Sequence, residues 1–357
     1  MHRYIVLAEV LLSLLLSPRV QCQPSSAWSF AISGDSRNCG DVVMPAIAAG
    51  AKRGGAAFYW HLGDLRAIDF PDEDYVHEPE HRAETKNDLV LLNNYERNTW
   101  QDFIASQIVP FGEMPIFIGI GNHEVITPKN RDGFMRAFSR WLEQPTLARQ
   151  RASDDPAPAW STYYHWKERG VDFIYLDNAT TDQFDPAQMR WVEGVLARDE
   201  HDPGIKTIVA AMHEALPDSI AINHSMSNYE SGRRSGHQLY ADLLRLQTQG
   251  KHVYVLASHS HFFMDGIFNT EYWRNHGGVL PGWIVGTAGA HRYKLPAHSA
   301  DAKIAKTNVY GYLLATLTRS GELRFEFKEV DERDIPESVV RRFTPKFVHQ
   351  CFVGNHD

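Results

Sequence analysis

Short apolar runs alternate along most of the chain with segments whose apolar positions recur every three to four residues. The apolar runs predict strands at 29–33, 56–62, 116–120, 171–176, 205–212 and 253–257. The segments between them predict helices at 42–53, 89–108, 133–142, 186–198 and 237–249. This alternation is typical of βαβ units, in which helices join parallel strands.

The pattern changes in the last third of the chain. Further strands are predicted at 283–285, 312–318 and 323–328, and side chains 323–327 alternate between apolar and polar. Because such alternation is typical of an antiparallel strand with one solvated face, we expect the sheets to be mixed. Residues 331–357 are charged and lack a strong period, so we expect a folded domain at 27–330 followed by a C-terminal tail.

The N-terminus is typical of a secretory signal peptide. A basic start precedes an apolar run at 5–16 that is too short to span a bilayer, and we assign 1–22 to the signal. The protein is therefore predicted to be exported, either periplasmic or secreted. Cys39 and Cys351 then remain as a pair, either joined in a disulfide or buried as two free thiols.

Composition narrows the possible partners. The chain has 357 residues, of which 43% are hydrophobic and 22% charged, as in soluble globular proteins. Its formal net charge of −8 provides no basic surplus, so no nucleic acid partner is expected. No stretch after the signal is long and apolar enough for a membrane span, and no feature predicts a protein partner.

Two segments interrupt the alternation of strands and helices. Residues 66–87 are acidic, and we interpret them as a solvated surface loop, with a lid over the site as the alternative. Residues 215–236 are rich in Ser, Asn and His and contain Arg233 and Arg234. We expect this second segment to face a substrate.

Five short motifs each follow a predicted strand. They are Gly34-Asp35, Gly63-Asp64, Gly121-Asn122-His123-Glu124, Met212-His213 and His259-Ser260-His261. Ligands of α/β sheets gather beyond the carboxyl ends of the strands, so we expect the motifs to converge. Aspartate, asparagine and neutral histidine suit divalent ions such as Mn, Fe or Zn. Two such ions about 3.5–4 Å apart can clamp a phosphoryl group.

In type and order, these motifs resemble those of the calcineurin-like metallophosphoesterase family. The resemblance covers roughly residues 30–290, and its most specific element is Gly121-Asn122-His123-Glu124. A glycine-rich segment at 284–289 is similar to a late strand of that family. The resemblance implies an α/β fold of two packed mixed β-sheets flanked by helices, in four α/β/β/α layers.

The resemblance also implies a role for each motif residue. Asp35 and His261 would bind a first metal, Asp64 would bridge two metals, and Asn122, His213 and His259 would bind the second. His123 would be catalytic and would not bind a metal. It would stabilise the developing charge or protonate the leaving oxygen. A hydroxide bridging the two metals would attack phosphorus in line. Glu124 or another acid would orient His123.

The first motif departs from the family pattern. It reads Asp35-Ser36-Arg37, where the family usually has Asp-x-His. A guanidinium has no lone pair for a metal, so the first site would be one histidine short. Arg37 either clamps phosphate oxygens or pairs with the acidic loop, and we favour the clamp.

Two further arginines are candidates for substrate binding. Arg66 follows the second motif and has the same two interpretations as Arg37, with the structural one preferred. Arg233 lies in the second insertion, close to the fourth motif in sequence.

These observations predict a metal-dependent phosphoesterase that hydrolyses a phosphorylated small molecule, with a phosphomonoester favoured. A phosphodiesterase or nucleotide pyrophosphatase with the same site is the first alternative. A degenerate protein that binds metal or a partner without turnover is an alternative of a different class, suggested by Arg37 at a ligand position. The Asn-His-Glu motif disfavours a metallohydrolase that acts on other bonds.

Overall fold

The computed structural model describes residues 28–81, 87–154, 160–180, 182–221 and 224–357. The predicted signal at 1–22 lies outside these residues. Among the described helices, none combines the length and the hydrophobicity needed to cross a bilayer.

The first sheet contains five strands in the order β12-β11-β1-β2-β3. Its strands are β1 (Ser29–Ser33), β2 (Ala56–His61), β3 (Ile116–Ile118), β11 (Tyr310–Leu317) and β12 (Leu323–Val330). The first three strands are parallel, whereas β11 and β12 run antiparallel to their neighbours. The sheet is therefore mixed, as predicted.

The second sheet contains seven strands in the order β10-β8-β9-β7-β6-β5-β4. Its strands are β4 (Tyr164–Glu168), β5 (Val171–Leu176), β6 (Thr207–Met212), β7 (His252–Ala257), β8 (Phe263–Asp265), β9 (Gly282–Val285) and β10 (Ile304–Lys306). Strands β5, β6, β7 and β9 are parallel, and β4, β8 and β10 pair antiparallel at the two sides.

Eleven α-helices lie among the described residues. They are α1 (Gly40–Arg53), α2 (Glu73–His77), α3 (Asp88–Phe103), α4 (Arg131–Ala137), α5 (Ser139–Leu142), α6 (Pro145–Ser153), α7 (Pro186–His201), α8 (Glu230–Thr248), α9 (Glu271–Asn275), α10 (Glu337–Phe343) and α11 (Pro345–Val353). The helix predicted at 89–108 ends at Phe103, and a single π turn covers Ile104–Ile108.

The two sheets pack face to face between outer layers of helices. Along β5, Phe173 and Tyr175 belong to the core between the sheets, whereas Ile174 and Leu176 belong to a second core. Apolar residues of α7 and α8 complete that second core. Because successive strand residues point to opposite faces, both faces of β5 are apolar and buried. The predicted fold class, two packed mixed β-sheets flanked by helices, is confirmed.

The C-terminal segment differs from the predicted tail. Residues Glu337–Phe343 and Pro345–Val353 form α10 and α11, and buried side chains including Phe343, Phe347 and Cys351 join the hydrophobic cluster that also contains the apolar residues of α1. Cys351 forms a disulfide with Cys39 across 312 positions of sequence. A bond that closes so long a loop stabilises the fold by roughly 2–5 kcal/mol. The apolar face of α11 was not predicted, because charged residues dominate the segment as a whole.

The acidic segment after β2 also differs from the prediction of a solvated loop. Its residues Asp72 and Asp74 are fully buried, and each lies within ion-pair distance of the guanidinium of Arg66. Asp41 and Asp102 complete the ring of carboxylates around Arg66. Arg66 is fully buried, and its pKa is raised well above the usual value because the four aspartates outweigh the opposing effect of burial.

This cluster leads to a prediction about stability. Replacing Arg66 with Met removes the cation among four carboxylates, so we expect the free energy of unfolding to fall by roughly 3–5 kcal/mol. Burial raises the pKa of Asp102 to about 6. A raised carboxyl pKa favours the folded state at low pH, where the group is protonated. Without Arg66, protonation at pH 5 would relieve part of the repulsion among the carboxylates, whereas at pH 8 they stay charged. The loss of stability should therefore be larger at pH 8 than at pH 5.

Chemical denaturation of the wild type and the Arg66→Met variant at both pH values measures this difference. Arg324→Met, which removes an exposed arginine on β12, is the matched control. A loss no larger than that of the control would show that the cluster contributes little.

Candidate metal centre

All five motifs lie at the carboxyl ends of parallel strands, and the two sheets bring them together. Asp35 follows β1, Asp64 follows β2 and Asn122 follows β3 in the first sheet. His213 follows β6 in the second sheet, and His259 and His261 follow β7. The Gly34 N–H donates to the Val285 carbonyl at 3.0 Å, a bond that joins the strand ends of the two sheets.

The second candidate ligand group surrounds His213. Its Nε2 lies 2.9 Å from Asn122 Oδ1, 3.1 Å from His259 Nδ1 and 3.3 Å from Asp64 Oδ1. Its Nδ1 lies 3.0 Å from the Leu62 carbonyl, which can only accept, so the proton belongs on Nδ1. When the ring is neutral, the lone pair of Nε2 therefore points at the three other candidate ligand atoms.

The electrostatics of this group favour a bound cation. Burial alone would lower the pKa of His213, but Asp64 and other carboxylates raise it to about 10. The carboxylates thus attract a positive charge to Nε2, and a metal ion bound there would take the place of the proton. Burial, with His213 beside it, holds the pKa of His259 well below its usual value, which keeps that imidazole neutral. Neutral imidazole is the form that binds a metal.

The first candidate ligand group contains Asp35, Asp64 and His261, whose ligand atoms lie within 4.8 Å of one another. His261 Nε2 is 3.2 Å from Asp35 Oδ1, and its Nδ1 donates to the His291 carbonyl at 2.6 Å. Among the described residues, Asp35 Oδ1 and Asp64 Oδ2 are buried without a hydrogen-bond partner. Unpartnered carboxylate oxygens beside an imidazole lone pair fit a divalent cation.

Asp64 belongs to both groups. Its Oδ1 faces His213 and accepts from the His123 backbone N–H at 3.0 Å. Its Oδ2 faces the first group, 3.7 Å from Nε of Arg37. Although burial raises the pKa of Asp64, His213 and His123 hold it well below the usual range. This geometry is the one expected of a bridging carboxylate.

Glu124 joins the second and third motifs. Its carboxylate accepts from the backbone N–H groups of Asp64, Leu65 and Gly121 at 2.7–2.9 Å. The motif resemblance implies that Glu124 or another acid orients His123. Instead, His123 Nδ1 donates to the backbone carbonyl of Ala67 at 2.6 Å. A backbone acceptor leaves no signal in the sequence.

Three ligand residues have a left-handed backbone. The φ angles of Asp35, Asp64 and His259 are 60°, 57° and 61°. Left-handed residues other than glycine are uncommon and cluster at functional sites. Gly121 is required because a Cβ there would approach Asp64 Oδ1 to 2.3 Å. The turns are thus locally strained, and their conformation brings the side chains of these three residues towards one place.

Arg37 lies beside the first ligand group, almost buried. Its guanidinium contacts His123 Nε2 through one terminal nitrogen and lies 3.0 Å from His261 Nε2 through the other. Burial lowers the pKa of Arg37, but Asp64 and Asp35 outweigh it and raise the value. The sequence predicted an arginine near the phosphate position, and the structure brings it into contact with the implied catalytic histidine.

The other two predicted substrate-binding arginines lie elsewhere. All four carboxylates that contact Arg66 belong to the buried cluster described above, which favours its structural interpretation. Arg233 is exposed, donates to the Ser227 carbonyl at 3.0 Å and lines a separate cavity with Asp218. Arg233 could therefore contact only a part of the substrate that lies away from the candidate ligand groups.

Two aromatic residues near the ligands were not assigned from the sequence. The ring of Tyr293 stacks on His261, with centroids 4.0 Å apart, and its hydroxyl lies close enough to Arg37 for the guanidinium to act on its pKa. His224 Nδ1 lies 3.4 Å from His259 Nε2. Tyr293 belongs to no motif. The only signal for His224 was its place in the Ser-, Asn- and His-rich insertion.

No family profile matches the chain. No curated protein matches it by sequence either. Solved structures do match, at 10–16% identity, a level at which only the fold is shared.

Two of the matching structures are named as phosphatases, and a third is named PhoD. The purple acid phosphatase PPD1 of yellow lupin (Lupinus luteus) has a TM-score of 0.55 at 16% identity over 86% of this chain. The chain spans only 52% of the lupin protein. PhoD has a TM-score of 0.52 at 13% identity, over 91% of this chain and 77% of its own.

A dimetal phosphatase from Danio rerio has a TM-score of 0.50 at 10% identity, over 85% of this chain and 96% of its own. The lupin and zebrafish proteins, both named as phosphatases, have the same two-sheet fold as this chain. The fold implied by the motif resemblance is therefore the fold of this chain.

Proposed function

We propose that this protein is a metal-dependent phosphoesterase that hydrolyses a phosphorylated small molecule. The observation that carries the proposal is Asp64, a buried carboxylate common to two groups of metal ligands. The similarity of the fold to two solved phosphatases supports it. As an exported protein, the chain would act outside the cytoplasm, which the disulfide supports.

The proposed ligands hold two divalent ions, each chosen from Mn, Fe or Zn. Asp35, Asp64 and His261 would hold the first, and Asp64, Asn122, His213 and His259 the second. When bound, such ions polarise phosphoryl oxygens and lower the pKa of a coordinated water. The fit rests on the unpartnered carboxylate oxygens and on the histidine tautomers, which direct lone pairs towards both positions.

His123 is the proposed catalytic histidine. It does not belong to either ligand group, and its Nε2 lies 3.8 Å from Asp64 Oδ2, beside both. The bond from Nδ1 to the Ala67 carbonyl fixes the ring, so Nε2 is the atom that can exchange a proton. From there, Nε2 would donate to the leaving oxygen or stabilise the charge that develops on it.

Arg37 is the proposed phosphate clamp. The Nε2 atom of His261 has one lone pair, so it cannot accept from Arg37 and bind a metal at the same time. Arg37 must therefore break its contact with His261 before the first ion can bind. The guanidinium N–H groups that become available in this way lie next to His123. A planar guanidinium can bind two phosphoryl oxygens side by side.

A phosphomonoester is the preferred substrate in this proposal, because a clamp of this kind binds terminal phosphoryl oxygens. A phosphodiester or a nucleotide pyrophosphate remains the same-site alternative. The non-catalytic alternative rested on Arg37 at a ligand position. Against it stand all six proposed ligands and His123, which lie together at the strand ends.

A hydrolysis panel tests the proposal. Protein stripped of metal and reloaded with Mn, Zn or Fe should cleave at least one of a generic monoester, a generic diester and several nucleotides. We expect His123→Ala to lower kcat by about 100-fold or more, since general acid catalysis contributes 10²–10⁴. Asp64→Asn should abolish activity. Absence of turnover with every metal and substrate would refute the enzyme, and an active Asp64→Asn variant would refute the bridge.

Arg37→Ala separates the clamp from a ligand role. Loss of charged hydrogen bonds to phosphate should raise KM or lower kcat by roughly 10- to 100-fold. Metal content should not fall, because Arg37 cannot ligate. Steady-state kinetics and elemental analysis on the same preparation measure both, with Arg324→Ala as the matched control on an exposed position. Loss of bound metal in Arg37→Ala would contradict the clamp.

A further inference from the structure

A cavity of about 650 Å³ lies beside the proposed metal ligands. Its wall includes Ser260, which stands between the ligands His259 and His261 in the sequence. Two other wall residues, Tyr293 and His224, contact those ligands directly. The cavity therefore begins where the proposed chemistry takes place.

The cavity is much larger than a phosphoryl group requires. With about 30 Å³ for each water-sized group, a phosphate with its four oxygens needs roughly 120 Å³. Pockets of roughly 300–1,000 Å³ commonly hold whole small molecules. Most of this space is thus available to the organic part of an ester.

The walls have the chemistry of a site for a flat ring. The aromatic side chains are Tyr293, Phe262 and His224, and the aliphatic ones are Ile220, Ala221, Pro296 and Ala297. Aromatic rings bind other rings in stacked or edge-to-face geometry. One side of the Tyr293 ring is already packed on His261, so a ring bound against Tyr293 would extend the same aromatic contact away from the ligands.

The wall carries one charge of each sign. Lys294 and Asp357 both line the cavity, and Lys294 is among the groups that lower the pKa of Asp357. The remaining wall is mostly apolar or aromatic, so ring contacts rather than charge pairing would dominate binding there.

We infer that this cavity binds the leaving group of the substrate, and that the leaving group carries an aromatic or heteroaromatic ring. The inference rests on the proposed function and narrows it to aryl or heterocyclic phosphate esters. Tyr293 and Phe262 supply the ring contacts.

Inhibition by phosphonates tests the inference without the confounding effect of leaving-group reactivity. Phenylphosphonate and methylphosphonate share the phosphoryl group, and only the first carries a ring. Burial of a phenyl ring predicts that phenylphosphonate competes about 10- to 100-fold more tightly with the wild-type, metal-loaded protein. Inhibition constants are measured against a monoester that the protein cleaves.

Two substitutions locate the effect. Ala297→Trp fills the cavity from its exposed rim, so it should remove the preference for phenylphosphonate and leave inhibition by methylphosphonate unchanged. Tyr293→Ala should also remove the preference, whereas Tyr293→Phe, which keeps the ring, should retain it. The Ala297 variant keeps the test valid if loss of the Tyr293 ring disturbs His261.

Equal inhibition by the two phosphonates, in a protein that cleaves esters, would overturn the cavity assignment alone. A preference that survives both Ala297→Trp and Tyr293→Ala would do the same. Failure of both phosphonates to inhibit, together with no cleavage of any ester, would overturn the proposed function itself.

Discussion

The site depends on one constraint: the Asp64 carboxylate must stay ionised while fully buried between two sets of ligands. Desolvation opposes this state, and the imidazoles of His213 and His123 together with Arg37 offset it. The backbone must hold the carboxylate in place as well, and Glu124 does so by accepting from the N–H groups of Asp64 and Leu65. A cation between the two ligand groups is the natural counterion for this arrangement.

The same constraint explains why the ligands are placed on strand ends. A strand that is buried on both faces holds its last residue in a fixed position. The residue just beyond the strand end then has a left-handed backbone, which changes the direction of the chain at that residue. Asp35, Asp64 and His259 each adopt this conformation. Gly63, with a φ of 98°, lets two strand ends approach closely, because a Cβ there would lie 2.5 Å from the Gly121 nitrogen. The backbone of the strand ends therefore determines where the proposed ligands lie.

Local pattern predicted much of this fold and the convergence of the proposed ligands. Strand β5 was predicted with its observed bounds, and β6 and β7 shifted by only one or two residues. The proposed ligands could be named because each stands next to a strand end in a recognisable order. What remained hidden depends on contacts between distant residues. The charges that surround Arg66 come from four separate positions, and Tyr293 meets His261 only in the folded chain.

The C-terminal segment shows the same limit in the core. Its charged residues suggested a tail, yet Phe347 and Cys351 are buried, and Cys351 is bonded to Cys39 near the first motif. Asn355 further along donates to the Tyr310 hydroxyl and to the Gly289 carbonyl. A short amphipathic helix is a weak signal by itself, and only the tertiary structure reveals the surface it covers.

Metal content tests the central role of Asp64 most directly. Elemental analysis of reloaded protein should find two ions per chain in the wild type and one in Asp35→Ala, because Asp35 belongs to a single ligand group. Asp64→Ala should lose both ions, because both groups share this carboxylate. If Asp64→Ala retains as much metal as Asp35→Ala, then Asp64 serves one ion only, and the shared-ligand account is wrong.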